Sequence, residues 1–187
     1  MTGTTVTGDA IPRDFVVLLP PGWARIPLDG RENARAAALA AQKTADLTEP
    51  RRGQVREKLA RLIRSALRDA RSCGGIDIMI SLAERDGVPL AASCLISYVD
   101  QGQRVPLEML AAELSGKGGD VTVAQAGGAA AARRRYQEGG MTKLDYFLPL
   151  PGRTGLLVMS FGTPAERLAD AFVLLFDAIA QSLRWQS

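Results

Sequence analysis

The sequence predicts an α+β fold, an antiparallel β-sheet with helices on both faces (an αβα sandwich). Three observations predict it. Between Thr142 and Trp185 the chain reads as strand, tight turn, strand and one long amphipathic helix. Ile76–Leu82 and Leu90–Tyr98 both alternate apolar and polar residues, and Asp86-Gly87 between them is a strong hairpin signal. Gln54–Ser72 repeats apolar residues at three- and four-residue steps, so it too needs a sheet to lie on.

Taken in order, Asp14–Leu19 (DFVVLL) predicts a first strand, ended by Pro20-Pro21-Gly22. Trp23, Ile26 and Leu28 start a short extended piece around Pro27. Trp23 is expected to cap the core, with stacking on a ligand as the alternative. Gly30–Leu47 is Ala-rich and helical, with Ala34, Ala37, Ala38, Ala41 and Ala45 as its packing face. Such small side chains gain little at roughly 25 cal/mol per Å² of buried area. Glu49-Pro50-Arg51-Arg52-Gly53 breaks the chain.

The helix predicted over Gln54–Ser72 has a stripe of Val55, Leu59, Leu62, Ile63, Ala66, Leu67 and Ala70. Arg61, Arg64, Arg68 and Arg71 line another face. Residues 51, 52, 56, 58, 61, 64, 68 and 71 are basic, and only 57 and 69 are acidic. That polarity reads either as a solvated face or as a docking surface for an acidic protein, an anionic lipid surface or a nucleic acid. The arginines have no aromatics among them, which disfavours single-stranded nucleic acid.

Gly74-Gly75 stops this helix. After the hairpin, Pro106–Leu114 predicts a short helix. The Ser115–Asp120 glycine cluster is not a phosphate loop. Such a loop follows a strand, opens a helix and ends in Gly-Lys-Ser/Thr, whereas this one follows a helix. Val121–Ala126 and Ala129–Gln137 are strands joined by Gly127-Gly128. Arg133, Arg134 and Arg135 must alternate faces, so at least one points to a covered face or an edge. Beyond Gly139-Gly140, Leu144, Tyr146, Leu148 and Leu150 mark a strand with Asp145 between them. Pro151–Gly155 is a turn, and Gly155–Phe161 is apolar on both faces, as a central strand is. Thr163-Pro164-Ala165-Glu166 fits a capping box. It would open a helix from Pro164 to Arg184, about 30 Å long, with Leu168, Phe172, Leu175, Phe176, Ile179 and Leu183 on the sheet.

A chain of 187 residues suits one domain, burying roughly 70% of its unfolded surface. Residues 12–187 are expected to form it, with 1–11 a disordered tail. Apolar content of 47% and charge of 23% are ordinary for a globular protein. No apolar run reaches the roughly 18 residues that span a bilayer. Met1–Ala10 lacks a basic region and an apolar region, so a cytoplasmic location without a signal peptide is expected. Cys73 and Cys94 are too few for a disulfide framework and are expected to be reduced, Cys94 as plain core. The net charge is +3, and nineteen arginines stand against four lysines, a bias of the kind GC-rich coding imposes. There is no histidine. The chain therefore lacks the commonest general base, metal ligand and partner of a nucleophile. Neither a metal nor a cofactor is expected.

Pro20-Pro21-Gly22-Trp23, Tyr146-Phe147-Leu148-Pro149, Leu157–Pro164 (LVMSFGTP) and the final Leu183-Arg184-Trp185 stand in this element order. Over residues 12 to 187 the chain resembles the PsbP-like superfamily, and in particular actinobacterial members, some encoded near type VII secretion genes. The resemblance implies an antiparallel sheet between helices and a mostly non-catalytic role: photosystem assembly, binding of a small GTPase, or accessory work at the envelope. It carries no catalytic residue onto this chain.

Two functions remain in view. One is a non-enzymatic protein-binding or accessory module, linked to type VII secretion, whose partner is an acidic protein met by Arg61, Arg64, Arg68 and Arg71. The other is a small-ligand-binding protein or carboxylate-based enzyme, with Asp77, Glu84, Asp86 and Asp145 as its acidic candidates. As sequence, these four read as solvent-facing strand or turn residues. A deep polar pocket with perturbed acidities favours the second function, and a grooved surface rimmed by arginines or exposed apolar residues favours the first.

Overall fold

The period-two runs pair into one antiparallel sheet. In the computed structural model, which describes residues 15–86, 88–152 and 154–186, the strands in chain order are β1 (Phe15–Val16), β2 (Trp23–Pro27), β3 (Gly75–Ser81), β4 (Glu84–Arg85), β5 (Val88–Pro89), β6 (Ser93–Val99), β7 (Asp120–Ala126), β8 (Ala129–Glu138), β9 (Met141–Pro149), β10 (Leu156–Thr163) and β11 (Arg184–Trp185). The helices are α1 (Glu32–Lys43), α2 (Arg51–Ser72), α3 (Leu107–Gly116) and α4 (Ala169–Gln181). The expected tail over residues 1–11, Asp14 of the first expected strand, Gly87 of the hairpin turn and Arg153 of the last turn lie outside the described residues.

Seven strands form the main sheet in the order β2-β3-β6-β10-β9-β8-β7. β10 lies at its centre and is apolar on both faces. Leu157, Met159 and Phe161 join the core under α4, with Tyr146, Phe172 and Phe176. Leu156 and Val158 point the other way, to Leu110 and Leu114 of α3. On that same second face, Ile63 and Leu67 of α2 cover Ile26 and Ile78. One face thus carries α4, and the other carries α1 and α2 at one side and α3 at the other. This is an α+β fold with helices on both faces of an antiparallel sheet.

The hairpin forms as its sequence predicts. β3 pairs with β6, Met79 opposite Cys94, and the connection extends into the small β4–β5 ladder. Asp86, at its tip, has a φ of 52°, which a tight two-residue turn requires and aspartate tolerates. Gly74, φ 73°, ends α2 in the left-handed region.

Several elements differ from the sequence reading. The last helix spans 13 residues, not the 21 from Pro164 to Arg184. Thr163 cannot cap it, because Thr163 still belongs to β10, opposite Thr142. Its hydroxyl donates to the Ala91 carbonyl at 2.8 Å and accepts the Ala165 N–H at 3.1 Å. A short 3-10 turn, Glu166–Leu168, intervenes before α4. At the far end Arg184 and Trp185 leave the helix to pair with β1, so Phe15 and Val16 belong to that two-stranded sheet and not to the main one. α1 is also rotated from expectation. Ala34, Ala37, Ala38, Ala41 and Ala45 are all exposed, while Glu32, Ala36, Ala40 and Thr44 are buried. Alanines alone do not fix a helix's rotation. Polar anchors do: Arg35 grips Asp29 at 2.6 and 2.9 Å, and Glu32 meets Arg71 of α2 at 2.9 Å.

Candidate functional site

The second face of the sheet is not fully roofed. Between α2 and the upper ends of β3, β6 and β10 runs an open groove of about 390 Å³, lined by Leu59, Leu62, Ile63, Ala66, Ile80 and Met141 among others. α2 is 22 residues long, but its buried residues run only from Ala60 to Ala70. Its stripe is also wider than the contact. Ile63, Leu67 and Ala70 are buried, but Leu62 is 60% and Val55 37% exposed. The uncovered edge of the stripe becomes one wall of the groove. Gly162 opens the floor, where a Cβ would meet Met141 Cε at 3.1 Å and the Lys143 side chain at 3.3 Å.

Cations border this edge. Residues 51, 55, 58 and 62 fall on one side of a helix by their four- and three-residue steps. Arg51 and Lys58 therefore share a row with Val55 and Leu62. Of the four arginines singled out from sequence, Arg61 and Arg68 are exposed and, among the described residues, lie in no ion pair. Arg64 meets Glu57 at 3.2 Å. Arg71 is engaged with Glu32, whose carboxylate also accepts the Gly30 N–H at 2.7 Å. Arg71 thus ties α1 to α2, which the sequence did not disclose because Glu32 lies nearly forty positions away. Arg51, Arg56 and Lys58, also exposed, join Arg61 and Arg68 as cations without an ion pair among the described residues. The sequence held the signal for Arg51 and Lys58 in their spacing to Val55 and Leu62, but it could not say that this side would stay open.

The four carboxylates are not brought together. Glu84 and Asp86 sit on the exposed hairpin tip. Asp77 and Asp145 are buried, contrary to the solvent-facing expectation, and they face opposite sides of the sheet. A half-buried sheet makes alternation a guide to sides only when one side is wet, and here both are covered. Asp77 lies beside the α4-side core and pairs with Arg25 at 2.6 Å, while that guanidinium stacks on Phe15 at 4.5 Å. Asp145 lies on the second face, 6% exposed, with one carboxylate oxygen lacking a hydrogen-bond partner among the described residues. Burial pushes its pKa up, and the Ser160 and Tyr136 hydroxyls and the Arg134 and Lys143 charges pull back only part of that. The Tyr136 phenol is in turn pushed up to about 12, first by burial and then by Asp145. Asp145 does not line the apolar groove or the polar hollow of about 360 Å³ beside Lys117, Gly118 and Tyr136.

The three consecutive arginines serve the fold. Arg133 binds Asp177 of α4 with two nitrogens at 2.8 and 3.0 Å, and the Tyr146 hydroxyl donates to the same carboxylate at 2.6 Å. Arg135 reaches Asp170 at 2.6 Å. Arg134 points to the other face, over the Tyr136 ring, and donates to the Lys117 and Gly118 carbonyls at 2.8 Å each, where α3 ends. Cys94 is fully buried, and burial raises its thiol well above the usual range, whereas Cys73 is exposed; both are free thiols. Trp23 is half-buried and meets Phe176 edge-on at 6.4 Å, as a core cap does. No helix is long and apolar enough to cross a membrane, among the described residues. No protein-family model matches the chain, and no curated protein does.

Proposed function

We propose that this chain is a non-enzymatic protein-binding or accessory module that docks an acidic, amphipathic segment of a partner protein along α2. The observation that carries the reading is the uncovered edge of the α2 stripe: Leu62 stands exposed in the wall of an apolar groove, and Lys58, the exposed Val55 and Arg51 precede it by one, two and three turns in the same row. An apolar strip in a row with exposed cations fits a segment with one apolar and one acidic side. Burying the apolar side supplies affinity, and the cations steer approach and register. The resemblance to the PsbP-like superfamily, whose members mostly act as accessory and assembly proteins, supports the same class of function. Through it comes the narrower proposal of cytoplasmic work linked to type VII secretion.

A ligand-binding or carboxylate-based site is the second reading, and Asp145 with its orphaned oxygen and raised pKa is what favours it. It ranks below the first because that carboxyl is buried on the second face and lines neither the apolar groove nor the polar hollow.

The test uses three baits in native lysate: wild type, Leu62→Asp, and the double variant Arg61→Glu/Arg68→Glu. The reading requires an acidic protein held by the wild type, lost from the Leu62→Asp bait, and bound more slowly by the charge-reversed one. Recovery of the same proteins by all three baits overturns it.

A further inference from the structure

The geometry points to a second interface on the opposite rim of the sheet: β7 pairs with β7 of a second copy, joining two seven-stranded sheets into one. Among the described residues β7 is an edge strand, bonded to β8 alone. The main-chain N–H and C=O groups of every second residue therefore face outward without a strand to meet them. Natural edges are usually blunted by proline, by a bulge, by brevity or by an interior charge. The other edge, β2, has those protections: five residues, Pro27 at its end, Arg25 in its middle and α1 beside it. β7 has no proline, no bulge, no shortness and no interior charge, and the helices α3 and α4 lie against it. Its seven residues, Asp-Val-Thr-Val-Ala-Gln-Ala, pair with β8 in unbroken register, and its one charge is at the terminal Asp120.

The strand is self-complementary. Antiparallel pairing about a two-fold axis at Val123 places Val123 opposite its own copy, and Val123 is 58% exposed. Val121 then faces Gln125, Thr122 faces Ala124, and Asp120 faces Ala126, so no like charges meet. The ends complement each other as well. Arg184 is exposed and shares with Val123, Gln125 and Ala126 a hollow of about 680 Å³ beside the strand. Among the described residues neither Asp120 nor Arg184 is in an ion pair. The two-fold brings Asp120 of each copy to the end of β7 where Arg184 of the other stands, and so forms two symmetric pairs. A second copy of this chain is thus the occupant that both the backbone and the charges fit. A single strand pair buries less than the roughly 1,200 Å² of a standard interface, so the dimer is a weak one, with dissociation in the micromolar to near-millimolar range.

Sedimentation equilibrium of the full chain from about ten micromolar to one millimolar tests this, together with amide exchange read at both ends of that range. The expected result is a monomer–dimer equilibrium in which amides of β7 gain protection as concentration rises. Val123→Lys puts like charges face to face at the axis on an exposed position, and is expected to weaken the dimer at least tenfold with an unchanged melt. Arg184→Asp alone should weaken it roughly five- to tenfold, and the double variant Asp120→Arg/Arg184→Asp should restore it, because each exchanged charge again meets its opposite. That rescue keeps the test decisive even where Val123→Lys lowers the melt. A chain that stays monomeric to one millimolar overturns the inference, and so does a dimer that neither single variant weakens.

Discussion

Asp145 is the residue at which folding sets charge against solvation. Its carboxyl is removed from water, one oxygen finds no donor among the described residues, and burial raises its pKa. The folded chain therefore holds the proton more tightly than the unfolded chain, whose carboxyl titrates near 4. Stability from this group is fully present below that unfolded value and is lost as pH rises through the folded one. At neutral pH the ionised form is a liability, which Asn removes while keeping the shape. Asp145→Asn should raise the melting temperature at pH 7, and the gap between variant and wild type should close toward pH 4. A melt lowered at pH 7 would mean that the charge is stabilised by Lys143 and Arg134 beyond its burial. Asp177 is the opposite case, a carboxylate with three short contacts from Arg133 and Tyr146. Removing it leaves a guanidinium and a phenol without their acceptor, so Asp177→Ala should cost about 2–3 kcal/mol in denaturant unfolding.

α4 holds to the sheet by two devices set side by side on one helix. Phe172, Val173, Phe176 and Ile179 fill the core, and Phe176 stacks on Phe161 at 4.8 Å. Asp170 and Asp177 bind two strand arginines along the helix flank. Phe176→Ala empties the centre of that contact and should cost roughly 3–5 kcal/mol, lowering the melt by many degrees. A shift of only a few degrees would mean that α4 is not what closes this face. α2 behaves differently. Its inner stripe is held by the sheet, but Leu62 is mostly in water, so Leu62→Asp should leave the melt nearly unchanged while abolishing partner binding along the groove.

In the whole molecule, the cations and the open edges lie far apart in the sheet order, with α2 over the β3 side and β7 at the other rim. A weak dimer through β7 would therefore leave both α2 grooves free, and a partner with two acidic segments would gain avidity without any new contact. Exposed cations add at most about 1 kcal/mol each to stability, and their effect is on encounter. Arg61→Glu/Arg68→Glu should leave the melt unchanged, lower the on-rate for the true partner and flatten its salt dependence. An unchanged on-rate at low salt would reduce this face to solvated surface.

Local pattern and tertiary context each determined a separable part of this protein. Alternation, turn residues and the Leu156–Phe161 run, apolar on both faces but for Ser160, determined the strands, the hairpin and the central place of β10, because period and burial on both faces are properties of the chain itself. What the helices cover was decided elsewhere. The rotation of α1 rests on the Glu32–Arg71 and Asp29–Arg35 contacts, and alanine spacing holds no record of either. The start of α4 depended on Thr163 being claimed by β10 and the Ala91 carbonyl, a competition between a local cap and a distant acceptor. The candidate site divides the same way. The arginine row and the apolar stripe of α2 were legible as residues. Which side of that helix stays open, and which arginines are spent on Glu32 and Glu57, followed only from how far the sheet extends beneath it, since a helix buries what its neighbours reach and leaves the rest to solvent or to a partner.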